Sequence, residues 1–138
     1  MTLLIDLFNQ QSDVALLALR IAIGTIFLVH GRQKLQMWNM QPNEQMSQGQ
    51  INFFKFLGVV ETLGGISAVF GFLTQLSALG FAILMLGAIN AKRTQYKVGF
   101  AERQATGWEF DFLILAAAIA LIFLGAGAFS LDKVLLNF

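Results

Sequence analysis

Two charged residues lie deep within apolar stretches of this chain: Arg20 within residues 14–29 and Glu61 within residues 53–72. A charge deep in hydrocarbon costs several kcal/mol unless it is paired or hydrated, so each is a candidate for holding a polar ligand or relaying a proton. Arg20 stands 11 residues before Gly31, and Glu61 stands 9 after Asn52. At about 1.5 Å per residue, both come out roughly 14–17 Å from the break between them, near a membrane midplane. Arg20 shares a helical stripe with Gly24, Phe27, Gly31 and Lys34, and Glu61 shares one with Phe54, Gly58, Gly65 and Ala68. Small residues beside each charge would let two helices approach closely. The expectation is a buried Arg20–Glu61 ion pair, either fixing helix register or serving a ligand or a proton.

A second polar set, His30, Gln33, Lys34, Lys55, Asn90, Glu109 and Asp111, falls near one boundary of the apolar stretches. His30 lies one turn before Lys34. Its imidazole suits a hydrogen bond to a quinone carbonyl or a proton shuttle; the plainer role is an interfacial residue capping the first helix. One histidine cannot supply a bis-His haem or an ordinary transition-metal site, and a His–Met haem with Met37 or Met85 is only a formal alternative. The chain has no cysteine, which removes disulfides, thiolate ligands and thiol redox chemistry from its own repertoire. No Ser-His-Asp order, phosphate loop, nucleotide fingerprint or metal-spaced histidine cluster occurs, so no metal is expected. A net charge of +1 without a basic run gives no case for nucleic acid.

The elements that must position these residues follow from composition. With 57% hydrophobic and 12% charged residues, a water-soluble domain would have too little polar surface to cover its core. Apolar stretches at 14–29, 53–72, 76–90 and 110–124 predict an all-α membrane protein, a four-transmembrane-helix bundle forming one domain over residues 1–138. Each is near the short end of the roughly 17–25 residues that cross a bilayer, so flanking residues must extend the spans. The uninterrupted apolar run from Ile114 to Leu124 does not alternate as a barrel strand would. No Lys or Arg precedes Arg20, so the basic region of a cleavable signal is missing and the first span reads as a retained anchor, with residues 1–9 flat at the interface. The break at 31–52, with Pro42, reads as a true loop, that at 71–75 as a tight turn with Gly71 as a helix C-cap, and that at 91–109 as a second polar loop. Gly125 and Gly127 end the last span, Ser130 caps a short terminal helix, and Asp132 reads as structural.

Basic residues gather in cytoplasmic loops. Arg32, Lys34, Lys92, Arg93, Lys97 and Arg103 place loops 31–52 and 91–109 in the cytoplasm, against Lys133 alone on the other side. Trp38, Tyr96 and Trp108 fall at that same end, as an aromatic belt would. Weak internal similarity, Ala18-Leu19 with Ala78-Leu79 and Phe54-x-Phe56 with Phe110-x-Phe112, is consistent with two similar helical hairpins.

The series Arg20-x3-Gly24-x2-Phe27-x2-His30-Gly31-x2-Lys34, then Gly58-x2-Glu61-x3-Gly65, Gly71-x2-Thr74, Glu109-x-Asp111 and Gly125-x-Gly127-x2-Ser130-x-Asp132 resembles the DoxX family of small bacterial membrane proteins. The resemblance spans nearly the whole chain. It implies a four-helix protein of the bacterial inner membrane, and in some members an association with thiosulfate-to-quinone oxidoreduction or with complexes handling thiol and oxidative stress. A quinone would suit a slot lined by Phe27, Phe54 and Phe56 with His30 or Arg20 as donor. Since the chain supplies no redox centre, any oxidoreductase activity would depend on a bound cofactor or a partner subunit. The alternative is a non-catalytic scaffold binding another membrane protein, a peripheral subunit or a second copy of itself. A transporter is disfavoured by the lack of paired interruptions in the spans.

Overall fold

The computed structural model describes residues 2–102 and 106–136, with side chains from residue 11 onward. Among the described residues the long elements are helices: α1 (Thr2–Leu35), α2 (Gln48–Phe70), α3 (Thr74–Thr94) and α4 (Glu109–Leu124). A 3-10 turn at Gln36–Asn39 prolongs α1, and a π-helical turn at Asp132–Leu136 follows α4. Arg103, counted above among the cytoplasmic charges, lies outside the described residues.

Three segments are long and apolar enough to cross a membrane: Gln11–Asn39, Gln48–Phe70 and Thr74–Thr94. The fourth expected span is shorter. α4 has 16 residues, about 24 Å of helix at 1.5 Å per residue, against the ~20 residues a span usually needs.

Helix ends also depart from expectation, for local reasons. The first break is narrower than 31–52, because α1 runs on through Gly31 to Leu35 and α2 begins at Gln48. A capping box starts α2: the Gln50 amide donates to Ser47 Oγ at 3.3 Å and the Ser47 amide to Gln50 Oε1 at 2.9 Å. Residues 2–9 continue α1 instead of forming a separate flat segment, while Met1 lies outside the described residues. Gly71 is the expected C-cap, with φ 67°; its amide donates to Ala68 O at 3.2 Å and that of Phe72 to Ser67 O at 2.9 Å. Ser130 Oγ accepts from the Lys133 amide at 3.2 Å, as expected of a residue capping the terminal turn.

α1 packs along α2 and α3 along α4, with lighter contacts joining the pairs. The architecture is therefore two antiparallel hairpins laid together. Glycines make the α1–α2 seam. A Cβ on Gly24 would stand 2.8 Å from Gly65 O, and one on Gly58 would stand 3.0 Å from Lys34 Cβ. Between the hairpins, the buried rings of Phe27 and Phe81 stack 3.8 Å apart and 7° from parallel, and Gly64 leaves the room in which Phe81 lies. Ile23, Ala78, Ile114, Ala118 and Leu121 complete this core. Outside, Leu63, Ile83, Leu113 and Phe123 are each at least 62% exposed, an apolar surface whose solvent is lipid. The chain is a multi-pass membrane protein.

Candidate functional site

The glycine seam fixes which charges can meet, and it overturns the expected Arg20–Glu61 pair. Gly31 packs on Gly58 and Thr62, placing Glu61 level with Gly31, whereas Arg20 lies against Gly71. Glu61 and Gly71 are 10 residues apart on the chain, about 15 Å along the helix axis. Counting depth from the first break failed because the two helices do not start level: the first turns of α2 overhang α1 beside the 3-10 turn.

Glu61 is bound by Lys34 instead. Lys34 Nζ donates to Glu61 Oε1 at 2.8 Å and to Oε2 at 2.6 Å, with side chains 21% and 6% exposed. One turn earlier on α1, His30 is exposed, so the two do not act on a common interior group.

Arg20 anchors a different structure, at the opposite end of α1–α2. Its guanidinium is fully buried and donates through Nη2 to Phe129 O, with Nη1 against Gly71 in the space a Cβ would take. Nε and Nη1 have no hydrogen-bond partner among the described residues. The segment that brings Phe129 there is pinned from both sides. Asp13 Oδ1 accepts from the Ala128 amide at 2.9 Å, and the Asp132 amide donates to Gly71 O at 2.8 Å. Asp132 then caps α3 from 58 residues away: Oδ1 accepts from the Leu73 amide at 2.6 Å and Oδ2 from the Thr74 amide at 2.9 Å. These are orphan N–H groups of a helix start, met by a carboxylate from another element, with the helix dipole favouring the charge. Asp132 thereby ties the segment after Gly127 to Gly71, against which Arg20 lies.

The polar set expected at the other end divides into separate contacts. Lys92 Nζ lies 2.6 Å from Asp111 Oδ2 as an ion pair, while its directed hydrogen bond goes to Gly107 O at 3.2 Å; the misaligned Oδ2 accepts no hydrogen bond among the described residues. Glu109 Oε2 is buried against Gly107 and also has no hydrogen-bond partner among them. Lys55 sits 5.7 Å over the Trp38 ring and Arg93 5.6 Å over that of Trp108. Gln33 and Asn90 are exposed. Each hairpin therefore holds one Lys–carboxylate bridge, Lys34–Glu61 and Lys92–Asp111, with the lysine late in its first helix.

The expected quinone slot does not form. Phe27 is buried in the stack with Phe81, whereas Phe56 on the outside of α2 is 63% exposed and Phe54 packs edge-on against Phe53. Neither Arg20 nor His30 faces a space these rings share.

Sequence reasoning missed Asp13, quoted Thr74 only as part of a motif, and took Lys92 only as a loop charge. A signal existed for Asp13, which precedes Arg20 by 7 residues and so lies on the same helical face. Nothing local in the sequence marks the Thr74–Asp132 contact.

A family model described as DoxX matches residues 15–93. The chain is 30% identical over 134 residues to the protein of Bacillus subtilis (strain 168) named "Putative oxidoreductase CatD", covering 90% of this chain and 89% of that one. It is also 30% identical over 143 residues to "Uncharacterized membrane protein Rv3486" of Mycobacterium tuberculosis (strain ATCC 25618 / H37Rv), covering 92% of this chain and 85% of that one. No solved structure matches it.

Proposed function

This chain belongs to the DoxX family, and from that premise we propose that it is the membrane subunit of a quinone-linked oxidoreductase complex, holding a redox partner without carrying electrons itself. The observation that carries this reading is how the interior charges are engaged. Lys34 holds Glu61, Lys92 holds Asp111, Asp132 caps α3 and Arg20 ties the C-terminal segment down. Those contacts do architectural work, and the chain adds no cysteine and only one, exposed, histidine. The name of the Bacillus relative supports the oxidoreductase class, and the electron carrier then belongs to a partner.

In this reading residues 1–138 form one domain in the bacterial inner membrane with α4 as a fourth span. Trp108 at its start and the glycine-rich segment after Leu124 lengthen its 16 residues toward both interfaces. Loops 31–52 and 91–109 face the cytoplasm, where Lys55 on Trp38 and Arg93 on Trp108 form a basic aromatic rim suited to a peripheral subunit. Quinone meets the bundle at its lipid face beside His30.

A second reading, a non-catalytic scaffold for another membrane protein, is favoured by the same engagement of the charges in helix packing. Native mass spectrometry of the protein extracted gently from its host membrane separates the two. The redox reading expects a cofactor-bearing companion together with quinone. A companion without quinone or cofactor selects the scaffold, and a chain bound only to itself refutes both.

A further inference from the structure

At the end of the bundle where Asp132 caps α3, a cleft of about 630 Å³ opens between Asp13 of α1, the α2–α3 turn and the segment after α4. Its apolar wall is made by Leu76, Phe123 and Leu124, and its polar lining includes Asp13, Thr74 and Lys133. We propose that this cleft seats the head group of an amine-bearing, zwitterionic phospholipid, with its chains running down the apolar wall.

The charges that remain free decide the ligand class. Asp132 also lines the cleft, but both its oxygens accept backbone N–H groups of Leu73 and Thr74. Asp13 uses Oδ1 on the Ala128 amide, and among the described residues no hydrogen bond occupies Oδ2. Lys133 is exposed, and the ion pairs among the described residues, Lys34–Glu61 and Lys92–Asp111, include neither it nor Asp13. The two opposite charges line one cleft without neutralising each other. Thr74, in the same lining, is 1% exposed, and its buried hydroxyl has no partner among the described residues. A buried hydroxyl left unpaired costs free energy, and a ligand oxygen would satisfy it.

One carboxylate, one ammonium and one hydroxyl over an apolar wall match a head group that carries both an ammonium and a phosphate. The ammonium donates to Asp13, and the phosphate accepts from Lys133 and Thr74. An anionic glycerol head offers Asp13 hydroxyl donors but no opposite charge. The location agrees, since the α2–α3 turn and the end of α4 lie where apolar helices give way to polar backbone, the level of lipid head groups. This inference does not depend on the redox reading.

The test is native mass spectrometry of the purified full-length protein offered equal amounts of phosphatidylethanolamine and phosphatidylglycerol with identical chains. One bound phosphatidylethanolamine is expected, preferred by about tenfold or more, because only its head group brings an ammonium to Asp13. Asp13→Asn keeps an acceptor for the Ala128 amide and is expected to bring the preference close to one; Lys133→Gln is expected to weaken both lipids alike. Phosphoethanolamine without acyl chains is expected not to displace the lipid. Equal binding of the two lipids by the unmodified protein, a measurement independent of any variant's folding, overturns the proposal. So does an undiminished preference in Asp13→Asn, and displacement by the chain-free head group would reassign the cleft to a soluble amine phosphate.

Discussion

Lys34→Met is expected to destabilise the bundle by about 3–5 kcal/mol, the usual effect of removing one partner from a buried ion pair. The Glu61 side chain is 6% exposed, and Lys34 Nζ donates to both of its oxygens. Without that ammonium the carboxylate must remain charged and unpaired, or take up a proton and lose its charge-assisted hydrogen bonds. The reverse truncation, Glu61→Leu, is expected to cost less, because Lys34 is 21% exposed and its long stem can carry the ammonium toward water. Exchanging the pair, Lys34→Glu with Glu61→Lys, should recover most of the loss in a denaturation titration of the purified protein. Exchanging Arg20 and Glu61 should recover nothing, since about 15 Å of helix separates their levels. Rescue by that second exchange, with none from the first, would place the seam in a different register.

Gly65→Leu is expected to cost about 3 kcal/mol or more, at the upper end of the overpacking range. Even a Cβ here would stand 2.8 Å from Gly24 O and 3.0 Å from the Leu28 amide nitrogen. Both are backbone atoms of α1, so no side chain can rotate aside and the two helices must separate. Separation would also lengthen the Lys34–Glu61 contact, so this variant should lose part of what Lys34→Met loses, and the two effects should not add. Gly87→Ala is the control. Nothing lies within 4 Å of a Cβ at that position of α3, and alanine favours helix over glycine by up to about 1 kcal/mol, so this change should be neutral or stabilising. Equal losses from Gly65→Leu and Gly87→Leu in the same titration would contradict the assignment of the seam to α1–α2.

What could be read from the chain beforehand was whatever depends on local pattern. The apolar runs predict the helices, and Gly71 ends α2 where a left-handed residue is needed. The spacing of Gly24 and Gly31 against Gly58 and Gly65 marked the faces that meet. The start of α2 was equally legible, since Ser47 and Gln50 form a capping box, but the polar run around them read as loop. Register was not legible, because it follows from how far each helix extends past the break between them. An error of about three turns moved Glu61 from Lys34 to Arg20. For the same reason Asp132 showed itself as a polar residue in a glycine-rich ending, but not as the cap of a helix beginning 58 residues earlier. Hydropathy also grouped α4 with the longer spans. Its composition is apolar throughout, yet it closes at 16 residues where Gly125 turns the chain at φ 74°.

Under the proposed function, the interior charges of this DoxX protein hold its helices together and electrons are carried by a partner. A coulometric titration of the complex extracted gently from its host membrane, repeated after the partner and small molecules have been washed away, tests this most directly. Stoichiometric electron uptake by the complex is expected, and none by the remaining 138-residue chain, with the chain still folded. Electrons that stay with the isolated chain would contradict it, and would return Arg20, His30, Lys34, Glu61, Glu109 and Asp111 to the list of residues acting on a redox group.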